Sequence, residues 1–251
     1  MNREEFVIVK LPNAILETME TEIEMAKKIE MAGRTCYKSE DKITPESSID
    51  FIKMILNRRH GAMLEHANIT VRFITDRGVS HEIVRHRIAS YAQESTRYCN
   101  YSKDKFGNKI SVIKPVDISN DSSAYDIWLD AVNSAAENYF KLLSEGCSPQ
   151  IARSVLPTCT KTEIVVTMNI REWRHFFELR CEKAAHPDMK CVAWIALNKF
   201  MLAYPTFFSD IFNKLYPKRI NANCIDPAYM DEQFKGLITQ YCCCTPIKEV
   251  K

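Results

Sequence analysis

Between His81 and Tyr98 the chain reads HEIVRHRIASYAQESTRY, a stretch that concentrates charge yet interleaves it with Ile83, Val84, Ile88, Ala89 and Tyr91. Polar groups placed this way must lie beside apolar ones. Burying a cation is costly unless an anion pairs with it, and arginine's planar fork matches phosphate or carboxylate through two bonds. Arg85, Arg87 and Arg97 therefore point to a pocket for an anionic ligand.

Other chemistries fit these residues less well. His81, Glu82 and His86 nearly spell the zincin motif, but the two histidines are five residues apart, about 140° around a regular helix, so no metal site is expected from them. Ser90 and Ser95 lie near His86 without the Gly-x-Ser-x-Gly elbow of a nucleophile, which makes a binding role the expectation. Tyr91, Tyr98 and Tyr101 could stack nucleic-acid bases beside the arginines. However, Arg85 and Arg87 would point to nearly opposite sides of a helix, an arrangement suited to two ligands or two subunits. Lys+Arg 34 against Asp+Glu 32 leaves only +2 to attract a polyanion, so no nucleic-acid partner is expected. With six glycines and neither GxGxxG nor a P-loop, phosphates would have to be held by arginines and helix N-termini.

The 251 residues, 46% apolar and 26% charged, can bury a full core without stapling. Ten cysteines are scattered through predicted core segments with no signal peptide ahead of them, and a reduced cytoplasmic protein is expected. Cys242, Cys243 and Cys244 are consecutive, and no CxxC pair accompanies them. The longest apolar runs fall short of the ~20 residues of a membrane span.

Several elements must position the charged stretch. Val7 to Leu16 reads as a strand or extended lead-in, and Thr21 to Gly33 as a helix that Gly33 ends in a left-handed cap. A second helix is expected from Thr44 as N-cap and Pro45 to about His60. Ile69 to Phe73 alternates as a half-buried strand, Asp76-Arg77-Gly78 reads as a turn, and Ser80 would cap a short helix carrying HEIVRHR, followed by an ordered IASYAQES loop. Further on come a strand at Ile110 to Ile113 and a helix from Asp121 to Gly146 with the stripe Ile127, Trp128, Ala131, Ala135, Tyr139, Leu142. A short helix at Ile151 to Leu156 and a β-branched strand at Thr162 to Met168 come next. Asn169 then starts a helix burying Trp173, Phe176, Phe177 and Leu179, and Pro187 a long one to about Tyr204. Short apolar pieces follow Pro205.

Arg85-His86-Arg87, seven residues, Ser95 and then Arg97-Tyr98 resembles the signature of the flavin-dependent thymidylate synthases. AGRTCYKS from Ala32, HGAMLEH from His60, ARSVLP from Ala152 and MNIREWRHFFELR from Met168 match the same family in order, so the resemblance is strongest over 32–204. It implies an α+β fold, a single domain over 1–251 with a mixed or antiparallel sheet packed by long helices, and a tail of open status from about 235. The implied reaction is reductive methylation of dUMP to dTMP, with 5,10-methylenetetrahydrofolate as carbon donor and FAD, reduced by NADPH, as hydride source. No cysteine nucleophile is involved, and the implied assembly is a homotetramer with shared active sites. Carried over by position, dUMP would be lined by Glu82, Ile83, Val84, Arg85, Gln93, Glu94, Ser95, Thr96, Arg97, Arg153 and Arg180. FAD would be held by Ala62, Arg85, His86, Arg87, Gln93, Asn169, Ile170, Arg171 and His175. Arg180 would be the catalytic group, polarising the uracil. Some members carry an acidic residue where this chain has Gln93, and Ala185-His186 replaces the usual Ala-Gln.

Overall fold

The computed structural model describes residues 5–103 and 106–215, with the backbone of 219–221 and 224–225. The Cys242–Cys244 run and the tail from about 235 lie outside the described residues. The architecture is α+β. Strands β3 (Asn68–Asp76) and β6 (Lys161–Asn169) are the longest, and β2 (Asn13–Leu16) and β4 (Ala89–Gln93) flank them in the order β2-β3-β6-β4. Burial alternates along β3 and β6, as the period-2 pattern requires. On the other face Thr70 meets Thr167 at 2.9 Å and Arg72 meets Glu163 at 3.3 Å, so β3 and β6 run antiparallel.

The chain groups into two compact units that it passes between repeatedly, so no single cut in the sequence separates them. One contains 72–85 and 91–165 with the described residues up to 13; the other contains 14–71, 86–90 and the chain from 166 on. In the first unit β1 (Val7–Lys10) pairs in parallel with β5 (Ile110–Ile113). Helix α4 (Ser123–Ser144) adds Leu129, Val132, Ala136 and Tyr139 to a core shared with Val7, Ile110 and Val112. The second unit contains α1 (Glu22–Thr35), α2 (Ser47–Asn57), α6 (Ile170–Arg180), α7 (Pro187–Ala203) and α8 (Pro205–Leu215). Its core is aromatic. Trp173, Phe176, Phe177, Phe200 and Phe208 meet mostly edge to face at 4.9–5.8 Å between centroids, a geometry that adds roughly 0.5–1.5 kcal/mol per pair to area burial.

Several sequence expectations are corrected. Val7 to Leu16 splits into β1 and β2. Helix α2 begins at Ser47 with Glu46 as N-cap, not at Thr44; the Ser47 hydroxyl accepts the Thr44 amide and donates to the buried Glu30 carboxylate. Helix α3 (Arg77–Ile83) is capped by Asp76 and ends before Arg85, so Arg85 and Arg87 do not diverge from a helix. The IASYAQES segment carries β4 instead of a loop. Helix α4 is rotated by about one residue from the expected stripe, leaving Ile127 71% exposed. Ile151 to Leu156 is a single turn, α5 (Pro149–Ala152), followed by a 3-10 turn over Arg153–Val155. Leu179 is exposed, and α8 was not anticipated as a helix.

Gly33 is not a cap either. It lies within α1, where a Cβ would stand 2.5 Å from Phe51 Cζ on α2. Gly33→Ala should therefore destabilise the protein by about 1–3 kcal/mol through overpacking, despite the ~1 kcal/mol by which alanine favours a helix. Urea denaturation measures the sign, and a stabilised variant would show that Phe51 yields without cost.

Candidate active site

In the first unit the start of α3 is bound on several sides. Asp76 Oδ1 accepts the Val79 amide at 2.8 Å, and the Arg77 amide donates to the carbonyls of Thr158 and Thr160. The Arg77 guanidinium reaches the Glu94 carbonyl and Thr162 Oγ1 at 3.3 and 3.4 Å. Gln93 Nε2 donates to Ser80 Oγ at 2.9 Å and Thr162 Oγ1 at 3.2 Å, so only its amide oxygen is left for a ligand. Glu94 takes Lys161 at 3.1 Å and the Tyr101 hydroxyl at 3.3 Å. Ser95 Oγ accepts the Arg97 amide at 3.3 Å, and the Arg97 guanidinium lies 5.4 Å from the Tyr98 ring centre on the surface. The buried Thr96 hydroxyl accepts from Arg153 Nη1 at 3.0 Å.

Thr96 and Arg153 line one cavity of about 450 Å3, together with Arg77, His81, Gln150 and Ser154. That volume lies within the ~300–1,000 Å3 of small-molecule sites. Two guanidiniums, an imidazole and several hydroxyls make its lining one for a phosphorylated compound of nucleotide size. Arg77, His81, Gln150 and Ser154 were missed as ligand groups by sequence reasoning, which took Arg77 for a turn residue and tested His81 only as a metal ligand. Of the other residues expected at the nucleotide, Ile83 is fully buried and its carbonyl accepts from Tyr91, whereas Val84 and Arg85 are exposed and Glu82 half-buried. Glu82, Ile83, Val84, Arg85, Gln93, Glu94, Ser95 and Arg97 do not line this cavity.

The second unit brings together His86, Arg180 and a residue sequence reasoning missed, Glu172. His86 is 4% exposed, with Nδ1 2.9 Å from Glu172 Oε1, while Arg180 Nε approaches its Nε2 at 3.2 Å. Arginine can only donate. The imidazole must therefore accept at Nε2 and carry its proton at Nδ1, toward the carboxylate. Burial pushes its pKa down; Glu172 opposes this, and Arg180 and His175 add to it. Helix α6 places these groups: Asn169 caps it by accepting the Glu172 amide at 2.8 Å, and the exposed His175 ring stands 5.7 Å from that of His86. His86, Glu172 and His175 hold ligand atoms within 4.8 Å of one another, a possible metal set. The Arg180 guanidinium on His86 Nε2 opposes a cation there. Arg171 pairs with Glu65 at 2.6 Å, close to Gly61 and the exposed Ala62 in the 3-10 turn Gly61–His66. Arg87 is exposed, and the buried Ile170 amide donates to the Ala67 carbonyl. The spacing from Asn169 to Glu172 to His175, three residues each, was the signal available for Glu172.

A model of the family described as thymidylate synthase complementing protein matches residues 17–206. The chain belongs to this family. It is similar to the flavin-dependent thymidylate synthase of Geobacter sulfurreducens, 34% identical over 189 residues, covering 72% of this chain and 80% of that one. That of Corynebacterium glutamicum is 34% identical over 210 residues, covering 76% and 81%. A crystal structure described as the UMP/dUMP methylase PolB from Streptomyces cacaoi, bound with 5-Br dUMP, shares the fold. Its TM-score is 0.64 at 22% identity, over 82% of this chain and 97% of that one. A member of this family is an enzyme, a methyltransferase.

A buried neutral His86 stabilises the fold above its unfolded value of 6.5, and that contribution is lost as pH falls from there through the lowered folded value. Nuclear magnetic resonance titration should place the His86 imidazole below 6.5, and Glu172→Gln should move it lower still because the carboxylate is what raises it. A folded-state titration above 6.5 would contradict the neutral assignment.

Proposed function

We propose that the protein is a flavin-dependent thymidylate synthase, converting dUMP to dTMP with 5,10-methylenetetrahydrofolate as carbon donor and NADPH-reduced FAD as hydride source. Family membership supports the reaction class. The observation that carries the nucleotide reading is the cationic cavity at Thr96 and Arg153, which has the size and lining for a nucleoside monophosphate. On this reading Thr96, Arg153, Arg77 and His81 hold dUMP from the cavity lining, and Glu82–Arg85, Gln93–Ser95 and Arg97 are proposed as dUMP contacts outside that lining.

For the flavin the proposed set is Ala62, Arg85, His86, Arg87, Gln93, Asn169, Ile170, Arg171 and His175. The donor chemistry fits. Exposed guanidiniums at Arg85, Arg87 and Arg171 suit a pyrophosphate, Asn169 heads an eleven-residue helix whose N-terminus favours anions, and the exposed His175 ring offers a stacking face. When bound, the flavin supplies the hydride that completes the methyl group.

The chain's own contribution centres on Arg180. His86 holds its Nε and so sets the plane of the guanidinium. Placed against the uracil, that fork favours the N3-deprotonated form and raises electron density at C5, the carbon that must attack the one-carbon unit. Ser95 serves as a binding group. A thiol nucleophile is not required, and the two described buried thiols fit packing roles: Cys181 sits in the interior, and burial pushes Cys191 up to about 12. Residues 1–251 would act as one domain, in a homotetramer whose copies share active sites. A cytoplasmic location is proposed from the scattered cysteines; among the described residues no helix is long and apolar enough to cross a membrane.

The purified protein should be yellow, with a flavin band released on denaturation, and should release tritium from C5-labelled dUMP during turnover. The Streptomyces cacaoi neighbour is described as a UMP/dUMP methylase, so UMP is the natural competitor; turnover of UMP in preference to dUMP would overturn the substrate assignment. Arg180→Lys should keep its flavin yet lose at least tenfold in turnover, because an ammonium lacks the planar fork. Near-normal turnover and dUMP affinity would remove Arg180 from the mechanism, and loss of flavin would reassign it.

Sharing of sites has its own readout. Arg87→Ala and Arg180→Ala, each inactive alone, should recover activity when mixed and reassembled. An active monomer in sedimentation at assay concentration would contradict it.

A further inference from the structure

The first unit holds a second cavity, of about 230 Å3, bounded by Lys10, Lys109, Lys161, Glu94, Tyr101 and Ser111. Its cations come from separate pieces of chain: Lys10 ends β1, Lys109 precedes β5 and Lys161 opens β6. Lys161 is shared by Glu94 and, at 2.7 Å, by Glu163, so the three ammoniums exceed these two carboxylates by one charge. Lys161 and Glu94 form the floor, 18% and 16% exposed and 3.1 Å apart. Burial alone would lower the Lys161 pKa, but its bonds to Glu163 and Glu94 outweigh that and keep the ammonium charged. Tyr101, pushed well above its ordinary value by burial and then by Glu94, remains a neutral hydroxyl.

We propose that this cavity binds a phosphate group, free or as the ester of a small metabolite, at a site separate from the nucleotide cavity. The chemistry of the lining selects phosphate. Planar carboxylates are matched by arginine's fork, and no arginine among the described residues lines this cavity; ammonium groups bordering one small cavity as point charges suit a compact, multiply charged anion. The Ser111 hydroxyl can donate to a further oxygen, whereas the Tyr101 proton is already given to Glu94. The volume falls below the ~300 Å3 at which drug-sized sites begin, which excludes a whole dinucleotide. Glu94 borders this cavity and Thr96 the nucleotide cavity, so the segment carrying both lies beside both ligands.

The test is equilibrium dialysis of the full-length protein with labelled inorganic phosphate at constant ionic strength, with saturating dUMP present. One phosphate per chain should remain bound, at least tenfold more weakly in Lys10→Ser/Lys109→Ser, with unchanged circular dichroism and unchanged dUMP affinity. Equimolar succinate should not displace it. Competition by glycerol phosphate assigns the ester, and its failure the free ion. The proposal is overturned by absence of bound phosphate when dUMP is present, by retained phosphate indifferent to the lysine pair, or by displacement with succinate. It rests on the dUMP reading only for emptying the first cavity. If dUMP does not bind, Arg153→Ala serves that purpose, and the lysine pair still decides.

Discussion

A neutral imidazole held between a carboxylate and a guanidinium is the interaction around which the second unit's buried polar groups are arranged. Protonating His86 in its buried position would set two cations against each other at Arg180, so the arrangement is consistent in one protonation state only. The supporting frame is α6. Its apolar side, Trp173, Phe176 and Phe177, is locked among rings from α7 and α8, while Glu172, His175 and Arg180 project from other positions of the same helix. Rigidity on one side gives precision on the other. A guanidinium on a surface helix would sample many rotamers, whereas this one is held by an acceptor that is itself buried and bonded to Glu172.

The first unit achieves similar order with alternating charges. Arg72, Glu163, Lys161, Glu94 and the Tyr101 hydroxyl form a continuous chain of bonds. Each ion has a partner of opposite sign, which offsets the cost of partial burial. The same chain holds Glu94 in place, and with Gln93 tied to Ser80 and Thr96 to Arg153 the segment has little freedom left. Side chains so engaged present fewer atoms to a ligand, and the bound geometry is largely set beforehand.

Much of this was legible in the sequence. The alternation of Ile69, Val71 and Phe73 and the cap at Asn169 were readable because local spacing alone determines them. The resemblance singled out Thr96, Arg153, His86 and Arg180, and the structure joins Thr96 to Arg153 and Arg180 to His86 by hydrogen bonds. What failed depended on partners far along the chain. Helix α4 carries apolar residues on more than one face, and the β1–β5 core, not the helix, chose Leu129 and Val132 over Ile127. Gly33 looked like a terminator because glycine usually is one, and only the position of the Phe51 ring shows otherwise. Arg77 resembled a turn residue because Asp-Arg-Gly reads as one. Its role is visible once Thr158 and Thr160, about eighty residues later, are seen accepting its amide.

Both long strands run straight into helices. β3 ends at Asp76 and α3 begins at Arg77; β6 ends at Asn169 and α6 begins at Ile170. With no linker between them, the strand's inside–outside alternation and the helix's rotation are counted from one residue. Adding a single residue to the end of β6 would turn every α6 side chain by about 100° relative to the sheet, carrying Glu172 and Arg180 away from His86 together. These joints act as phase references. Length variation in related chains should accordingly be tolerated in the connections on the surface and be absent at positions 76 and 169, where chain length itself fixes which side chains meet.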